Sequence, residues 1–141
     1  MSNTFGENSR KNLDQCHWEL QKLMERVVEV RDISIVCGIR NRVDQNQMFD
    51  EGKSKLRWPE GKHNVRSPDL LANAVDIVPW PEQYSDPMTM IHVAGIVMGI
   101  AAEMNIQIRW GGDWNRNQVI FSVDPKDAAF VDLWHFERVD S

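Results

Sequence analysis

The sequence is poor in several features that would identify a class of protein at once. It has only two cysteines, Cys16 and Cys37, which are not at metal-ligand spacing and do not form a disulfide framework. Its 16 lysines and arginines against 21 aspartates and glutamates give a net charge of −5, whereas a nucleic-acid-binding surface is normally basic. No apolar run reaches the roughly 18 residues needed to span a bilayer. The polar first segment, MSNTFGENSRKN, lacks the apolar region of a secretory signal.

In its overall composition the sequence is that of an ordinary globular protein. A chain of 141 residues, 42% of them hydrophobic, fits one compact domain with one hydrophobic core. The sequence shows no internal repeat and no linker, so we predict a single domain over residues 1–141. Cys37 lies in an apolar run, where a buried and reduced thiol is expected.

Hydrophobic spacing and turn residues predict a mixture of helices and strands. Helices are predicted over residues 11–30, 43–50 and 88–104. Strands are predicted over residues 32–37, 74–78, 106–110, 119–123 and 131–137. Residues 53–72 form a polar loop of about twenty residues, a length that is more often functional than not. Because helices and strands do not alternate regularly, we expect an α+β fold with a small antiparallel sheet flanked by helices.

The scarcity of histidine limits where a metal ion could bind. His17 and His92 lie in predicted helices, where a surface or satisfied core histidine is the usual case. His63 lies in the long loop and His135 in the last predicted strand. Asp76 lies in the apolar run AVDIV, where a buried carboxylate needs a metal, an arginine or backbone N–H groups. Spacing alone leaves these alternatives open, although His63, Asp76 and His135 would supply the three protein ligands of a catalytic zinc site.

Spacing alone assigns no functional role to several other residues. In a strand, Asp132 and His135 point to opposite faces, so a turn or bulge would be needed to bring them to one centre. Arg40, after a predicted strand, is typical of a surface ion-pair partner. Trp110 and Trp114 flank a glycine turn, which is typical of core or rim aromatics.

Four blocks of sequence in a fixed order resemble one protein family. The blocks are Cys37-Gly38-Ile39-Arg40 with Asp44-Gln45 and Gly52-Lys53-Ser54-Lys55, then Lys62-His63-Asn64 with Ala74-Val75-Asp76-Ile77-Val78-Pro79-Trp80-Pro81, then Trp110-Gly111-Gly112-Asp113-Trp114, and finally Asp132-Leu133-Trp134-His135-Phe136-Glu137. Their order and content resemble the D-alanyl-D-alanine peptidase family of zinc enzymes, with the hedgehog/DD-peptidase fold. Within that family they resemble the small phage endolysins that act as L-alanyl-D-glutamate peptidases.

The resemblance implies a role for each matching residue near a metal. His63, Asp76 and His135 would bind Zn²⁺. Asp132 would be the general base. Arg40 would steady the charge that develops on the substrate carbonyl.

Two departures from the family pattern concern the first metal-binding block. The usual pattern has a serine two residues before the histidine and an aspartate seven residues after it. Here Gly61 replaces the serine, and Asp76 follows His63 by thirteen residues. Asp69, six residues after His63, is therefore a rival ligand, although the residues around Asp76 match the family better.

The same resemblance implies a substrate and a setting. Gln45, Ser54, Trp110 and Trp114 would contact substrate. The expected activity is hydrolysis of the peptidoglycan stem peptide, at the L-alanyl-D-glutamate bond, for host cell lysis. A D-Ala-D-Ala carboxypeptidase or dipeptidase is the nearest alternative. A zinc-containing binding module is the alternative from another class, and it would have lost the base.

The resemblance also implies how such an enzyme reaches its substrate. It would be a monomer without a separate cell-wall-binding domain and without a signal peptide. It would stay in the host cytoplasm until a separate holin-type protein gives access to the periplasm and wall.

Overall fold

The computed structural model of the chain describes residues 3–139. Its elements are α1 (Glu7–Asp14), α2 (Trp18–Val30), β1 (Ile33–Cys37), α3 (Arg42–Asp50), β2 (Ala74–Pro79), α4 (Pro87–Glu103), β3 (Ile108–Gly111) and β4 (Asp132–Arg138). Within that range, no helix combines the length and the apolar character needed to cross a membrane.

The four strands form one antiparallel sheet in the order β1-β2-β4-β3. The predicted α+β fold with a small antiparallel sheet flanked by helices is confirmed. β2 lies inside the sheet, and all of its residues except Asp76 are buried. A strand that is covered on both faces reads as a continuous apolar run, as this one does. The half-buried carboxylate of Asp76 is therefore the exception in an otherwise apolar strand.

Helices α2 and α4 form the core together with the sheet. On α2 the buried residues recur at helical spacing: Leu20, Leu23, Met24, Val27 and Val28. On α4 the buried residues are Met90, Val93, Ala94, Val97 and Ala101. The start of α4 is encoded locally, because Pro87 follows Asp86, whose side chain accepts a hydrogen bond from the backbone N–H of Met88.

The single helix predicted over residues 11–30 is wrong, because the chain breaks between α1 and α2. At the break Cys16 forms an isolated bridge with Ala72, far along the chain. The backbone N–H of His17 donates to the carbonyl of Ala72, and the N–H of Ala72 donates to the carbonyl of Gln15. These contacts take backbone groups that a continuous helix would need for itself.

The strand predicted over residues 119–123 is also wrong, because this segment is a series of turns. Arg116 and Gln118 before it have positive φ angles of 57° and 65°. The backbone N–H of Phe121 then donates to the carbonyl of Gly112, which folds the segment back on the turn after β3. The other predicted strands and helices are present, with ends that differ by up to two residues.

His17 caps the start of α2 with its side chain. Its Nδ1 accepts a hydrogen bond from the backbone N–H of Glu19 at 3.1 Å. Only an unprotonated nitrogen can accept this bond. Burial, and then the charge of Arg138, lower the pKa of His17 below 6.5, against the opposing effect of Glu19. The folded state thus binds fewer protons at this group than the unfolded state does, so the cap stabilises above about pH 6.5.

We predict that His17→Ala lowers the free energy of unfolding by about 1 kcal/mol at pH 8, the usual cost of losing an N-cap. The difference from the wild type should shrink as the pH falls below 6.5, because the protonated imidazole no longer accepts the bond. Urea unfolding at pH 8 and pH 5.5 measures both. His17→Asn, which keeps a side-chain acceptor at every pH, is the control. An equal difference at both pH values would contradict this role for His17.

Candidate metal and catalytic site

The register of the sheet brings two of the predicted metal ligands together. Asp76 on β2 pairs directly with His135 on β4, and on its other side with Cys37 on β1. Side chains directly opposite each other in an antiparallel pair lie on the same face, about 5 Å apart at Cβ. Asp76 and His135, 59 positions apart in sequence, thus become neighbours through strand pairing alone.

His63 reaches the same place from the long loop between α3 and β2. The carbonyl of His63 accepts a hydrogen bond from the backbone N–H of Arg40, just after β1. The carbonyl of Lys62 accepts one from Asn73, just before β2. The side chain of Asn64 donates to the carbonyl of Arg40. These bonds fix the loop to the ends of β1 and β2, so the imidazole of His63 is buried beside Asp76.

Three side-chain atoms converge at this point. His63 Nε2 lies 3.0 Å from Asp76 Oδ1 and 3.2 Å from His135 Nδ1, and His135 Nδ1 lies 3.2 Å from Asp76 Oδ1. The structure therefore brings together all three residues that the sequence proposed as ligands.

The other nitrogen of each imidazole is bonded to an acceptor. His63 Nδ1 lies 2.7 Å from the carbonyl oxygen of Gly38, and His135 Nε2 lies 2.8 Å from Oε1 of Glu137. A carbonyl and a carboxylate accept hydrogen bonds, so these two nitrogens carry the N–H. In the neutral imidazoles, the nitrogens that face Asp76 then carry no hydrogen and present a lone pair. Three electron-pair donors within 3.2 Å of one another need a positive charge between them, either protons or a metal cation.

The charges of the three residues shift one another's pKa values. Burial favours the neutral form of each, yet the neighbouring charges outweigh it. The Asp76 carboxylate raises the pKa of His63 to about 10, and Asp76 with Glu137 raises the pKa of His135. The imidazoles in turn hold the pKa of Asp76 well below its usual range. Asp76 is therefore an ionised, partly buried carboxylate at neutral pH.

Arg40 supplies a fixed positive charge on the far side of this carboxylate. Its Nη2 donates to Asp76 Oδ2 at 3.3 Å, and its Nη1 donates to Gln45 Oε1 at 3.1 Å. Asp76 thus uses one oxygen for the imidazoles and the other for the guanidinium. Arg40 therefore forms a partly buried ion pair with Asp76, where its position after a strand is typical of a surface pair.

Asp132 enters the site because β4 contains an irregularity. Trp110 of β3 pairs with Phe136, but the next residue, Gly111, pairs with Asp132. Residues 133–135 therefore have no partners on β3, and the strand bends there. Asp132 lines the same cleft as His63 and His135, and burial together with the charge of Asp76 raises its pKa. This is the bulge that the spacing of Asp132 and His135 required.

Asp69 and Cys37 are two further residues that could supply a metal ligand. Asp69 is exposed, and its carboxylate accepts a short hydrogen bond from the hydroxyl of Ser67. Cys37 forms with His63 and Asp76 a group of possible ligand atoms that lie within 4.8 Å of one another. Its Sγ lies 3.8 Å from His63 Nδ1, the nitrogen that bonds to Gly38. Sequence reasoning missed Cys37, although the thiol belongs to the block that ends at Arg40.

A cleft of about 410 Å³ opens beside the convergent side chains. Ser54 and Trp114, both predicted substrate contacts, line it. The ring of Trp114 lies 5.7 Å from that of His135, and its Nε1 donates to the carbonyl of Phe130. Trp114 therefore forms an aromatic wall next to His135, and its contact with substrate stays a prediction, as does that of Ser54.

The structure gives Gln45 and Trp110 different positions from those predicted. Gln45 reaches the cleft wall, but it is 1% exposed and its amide donates to Ser54 and to the carbonyl of Leu56. Its oxygen accepts from Arg40, so it holds protein groups in place. Trp110 is 4% exposed, belongs to the hydrophobic core and donates to the carbonyl of Leu133. It supports the bend in β4 from inside and does not line the cleft.

The chain is similar in sequence to known peptidases. A family described as phage L-alanyl-D-glutamate peptidase matches residues 1–139. The L-alanyl-D-glutamate peptidase of Escherichia phage T5 is 32% identical over 120 residues, which cover 82% of this chain and 84% of that protein.

The chain belongs to the phage L-alanyl-D-glutamate peptidase family.

A solved structure supports the fold of this family member independently. The L-Ala D-Glu endopeptidase ChiX of Serratia marcescens matches with a TM-score of 0.69, covering 96% of this chain and 89% of its own. At 23% sequence identity, this likeness bears on the fold alone.

The structure explains one departure from the family pattern. The backbone N–H of Gly61, where the pattern has serine, donates to Asn64 Oδ1 at 2.9 Å. A Cβ at this position would lie 2.8 Å from the same oxygen and 3.0 Å from Oε1 of Gln45. Glycine therefore allows the loop to approach Gln45 closely.

Gly111 is the residue that lets β3 lie against the bend in β4. A Cβ there would come 2.0 Å from the carbonyl oxygen of Asp132 and 3.0 Å from its Cβ. We predict that Gly111→Ala lowers the free energy of unfolding by about 2 kcal/mol, the typical cost of overpacking. Gly95→Ala is the matched control, because a Cβ at Gly95 meets nothing within 4 Å and alanine favours a helix. Urea unfolding measures both, and equal stability of Gly111→Ala and the wild type would contradict the prediction.

Proposed function

We propose that this chain is a zinc-dependent peptidase that hydrolyses the L-alanyl-D-glutamate bond in the stem peptide of peptidoglycan. The convergence of His63 Nε2, Asp76 Oδ1 and His135 Nδ1 is the observation that carries the metal part of the proposal. Membership of the family and the 32% sequence identity to the phage T5 peptidase support the choice of bond.

The spacing of the three atoms supports zinc. Tetrahedral zinc with ligands at about 2.0–2.1 Å has edges of about 3.3 Å between ligand atoms. The three separations here are 3.0, 3.2 and 3.2 Å. Two histidines and one carboxylate also form a donor set used by catalytic zinc, which leaves a further position for water or substrate. We propose Cys37 as a neighbour of this set, since its sulfur faces the nitrogen of His63 that bonds to Gly38.

Residues behind the ligands orient them. Glu137 accepts from His135 and Gly38 accepts from His63, which sets both imidazoles in the tautomer that presents a lone pair. Arg40 holds the second oxygen of Asp76 and so orients its carboxylate.

Zinc, when bound, lowers the pKa of water towards 7 and polarises a carbonyl. The proton transfer falls to Asp132, which lies in the cleft beside the ligands. Because burial raises the pKa of Asp132, its carboxylate is a stronger base than an exposed one. We assign it the role of general base that takes a proton from the attacking water and then passes it to the leaving amine.

Arg40 is the proposed donor to the substrate carbonyl. Its guanidinium lines the cleft and has five N–H groups, of which Asp76 and Gln45 each take one. The remaining donors are available for an oxygen that becomes negative during the reaction. Such a donor commonly contributes about 3 kcal/mol to transition-state stabilisation.

The proposed setting is lysis of the phage's host from within. In this setting the protein acts as a monomer, as one domain over residues 1–141, and meets its substrate in the periplasm after leaving the host cytoplasm. Access through a separate holin-type protein stays part of the proposal.

The cleavage site can be tested directly. We expect the zinc-loaded protein to release fragments with a new D-glutamyl amine from purified peptidoglycan, identified by mass spectrometry. Released D-alanine would point instead to a D-Ala-D-Ala carboxypeptidase or dipeptidase. A digest without any new terminus would sink the peptidase assignment.

Two substitutions should separate the base from the ligands. Asp132→Asn should lower kcat by about 10²–10⁴-fold, the usual contribution of general acid–base catalysis, and still bind one zinc ion. His63→Ala should lose zinc as measured by elemental analysis. His92→Ala, on the outer side of α4, should keep both zinc and activity. Full zinc occupancy in His63→Ala would refute that ligand, and undiminished hydrolysis by Asp132→Asn would refute the base.

A further inference from the structure

The cleft next to the proposed zinc site is rich in positive charge, although the protein as a whole carries a net charge of −5. The cationic residues that line it are Arg40, Lys53, Lys55, Lys62, Arg109 and Lys126. The acidic residues that line it are Asp132 and Glu137. A cleft lined by one sign of charge attracts a ligand of the other sign. The distribution points to an anionic group on the substrate.

Most of these cations already face a carboxylate of the protein. Arg40 pairs with Asp76 at 3.3 Å, Arg109 with Glu137 at 3.5 Å and Lys53 with Glu51 at 3.2 Å. Hydrogen bonds from Asn115, from the backbone N–H of Lys126 and from Asn117, and then the charge of Lys126, lower the pKa of Asp124, so Lys126 also lies near a carboxylate. Lys62 takes part in a further interaction of its own.

Lys55 differs from these cations. In the part of the chain between residues 3 and 139, its ammonium has an aromatic ring as its partner and no ion pair with a carboxylate. The Nζ lies 5.5 Å from the centroid of the Phe130 ring. Lys55 comes from the loop after α3, whereas Phe130 comes from the loop before β4, so the side chain reaches across from one wall of the cleft to the other.

The ring beneath Lys55 is itself tied to the catalytic side of the cleft. The carbonyl of Phe130 accepts a hydrogen bond of 2.7 Å from Trp114 Nε1, and the two rings lie 5.9 Å apart. The ring of Trp114 lies 5.7 Å from that of His135. A cation held over Phe130 is thus held next to the aromatic wall that leads to the proposed ligands. Its contact with the ring leaves N–H groups of the ammonium available to an acceptor.

The proposed substrate carries an anion close to the scissile bond. A glutamate residue has two carboxyl groups, and at most one of them continues the peptide chain. When the amine of D-glutamate is acylated by L-alanine, at least one carboxylate therefore remains free on the residue that leaves. If that carboxylate is converted to an amide, its shape is kept and its charge is lost.

We propose that Lys55 is a specificity residue that pairs with the free carboxylate of the D-glutamate residue at the scissile bond. The inference rests on the proposed L-alanyl-D-glutamate peptidase function. It means that the enzyme distinguishes stem peptides whose glutamate is ionised from those whose glutamate is amidated. Lys55 binds substrate and takes no part in the proton transfer assigned to Asp132.

The test compares two synthetic stem peptides that differ only in the free carboxylate or its primary amide. For the zinc-loaded wild type we expect about a tenfold higher kcat/KM with the carboxylate peptide, as befits a hydrogen bond between charged groups. The difference should lie in KM, because the pair exists before and during the reaction. Lys55→Met keeps an apolar stem over Phe130 and removes the charge. It should bring the two peptides to near parity, and Lys55→Arg should restore the preference.

Lys22→Met is the matched control, because Lys22 also lies over an aromatic ring, that of Trp18, on α2 outside the cleft. It should keep the preference of the wild type. Equal cleavage of both peptides by the wild type would overturn the inference, and so would a preference that survives in Lys55→Met. A preference lost in Lys126→Met but kept in Lys55→Met would assign the contact to Lys126 instead. If the wild type cuts neither peptide, the proposed function has failed as well, which is distinct from equal cleavage.

Discussion

The partly buried carboxylate of Asp76 is the constraint on which the rest of this structure depends. An ionised carboxylate inside an apolar strand is costly unless positive charge surrounds it. Here Arg40 takes one oxygen, and the imidazoles of His63 and His135 face the other. Each of these partners comes from a different part of the chain, so the loop and two neighbouring strand ends must assemble before the charge is satisfied. The same demand makes the site suited to a metal cation.

The second requirement is that one short strand supplies both a proposed ligand and the proposed base. Regular alternation would send Asp132 and His135 to opposite faces of β4. The bend in β4 removes this conflict, and it is accommodated because Gly111 lets β3 approach the backbone of Asp132. Trp110 packs beneath the bend and bonds to the carbonyl of Leu133. The core of the protein and the geometry of its site are therefore parts of one arrangement.

Much of the fold and most of the site could be predicted from the sequence. Apolar spacing located the second half of the first predicted helix and nearly all of α4, because helical periodicity is a local property of the chain. Residue types within ordered blocks pointed to His63, Asp76, His135 and Asp132. The structure brings the first three together and places Asp132 in the adjoining cleft. The prediction of a single helix over residues 11–30 failed because a non-local contact interrupts it. The break at Cys16 depends on a bridge to Ala72, and no local pattern signals it.

The sequence by itself determined which residue types were available for chemistry: few histidines, one carboxylate in an apolar strand and a charge of −5. Only the tertiary structure placed Asp76 opposite His135, through the strand register, and left Asp69 exposed in the loop. It also decided that Trp110 is buried and that Lys55 lies over Phe130. Local sequence controls helix and strand formation, whereas His63 and His135, 72 positions apart, meet only when the register and the packing of the loop are set.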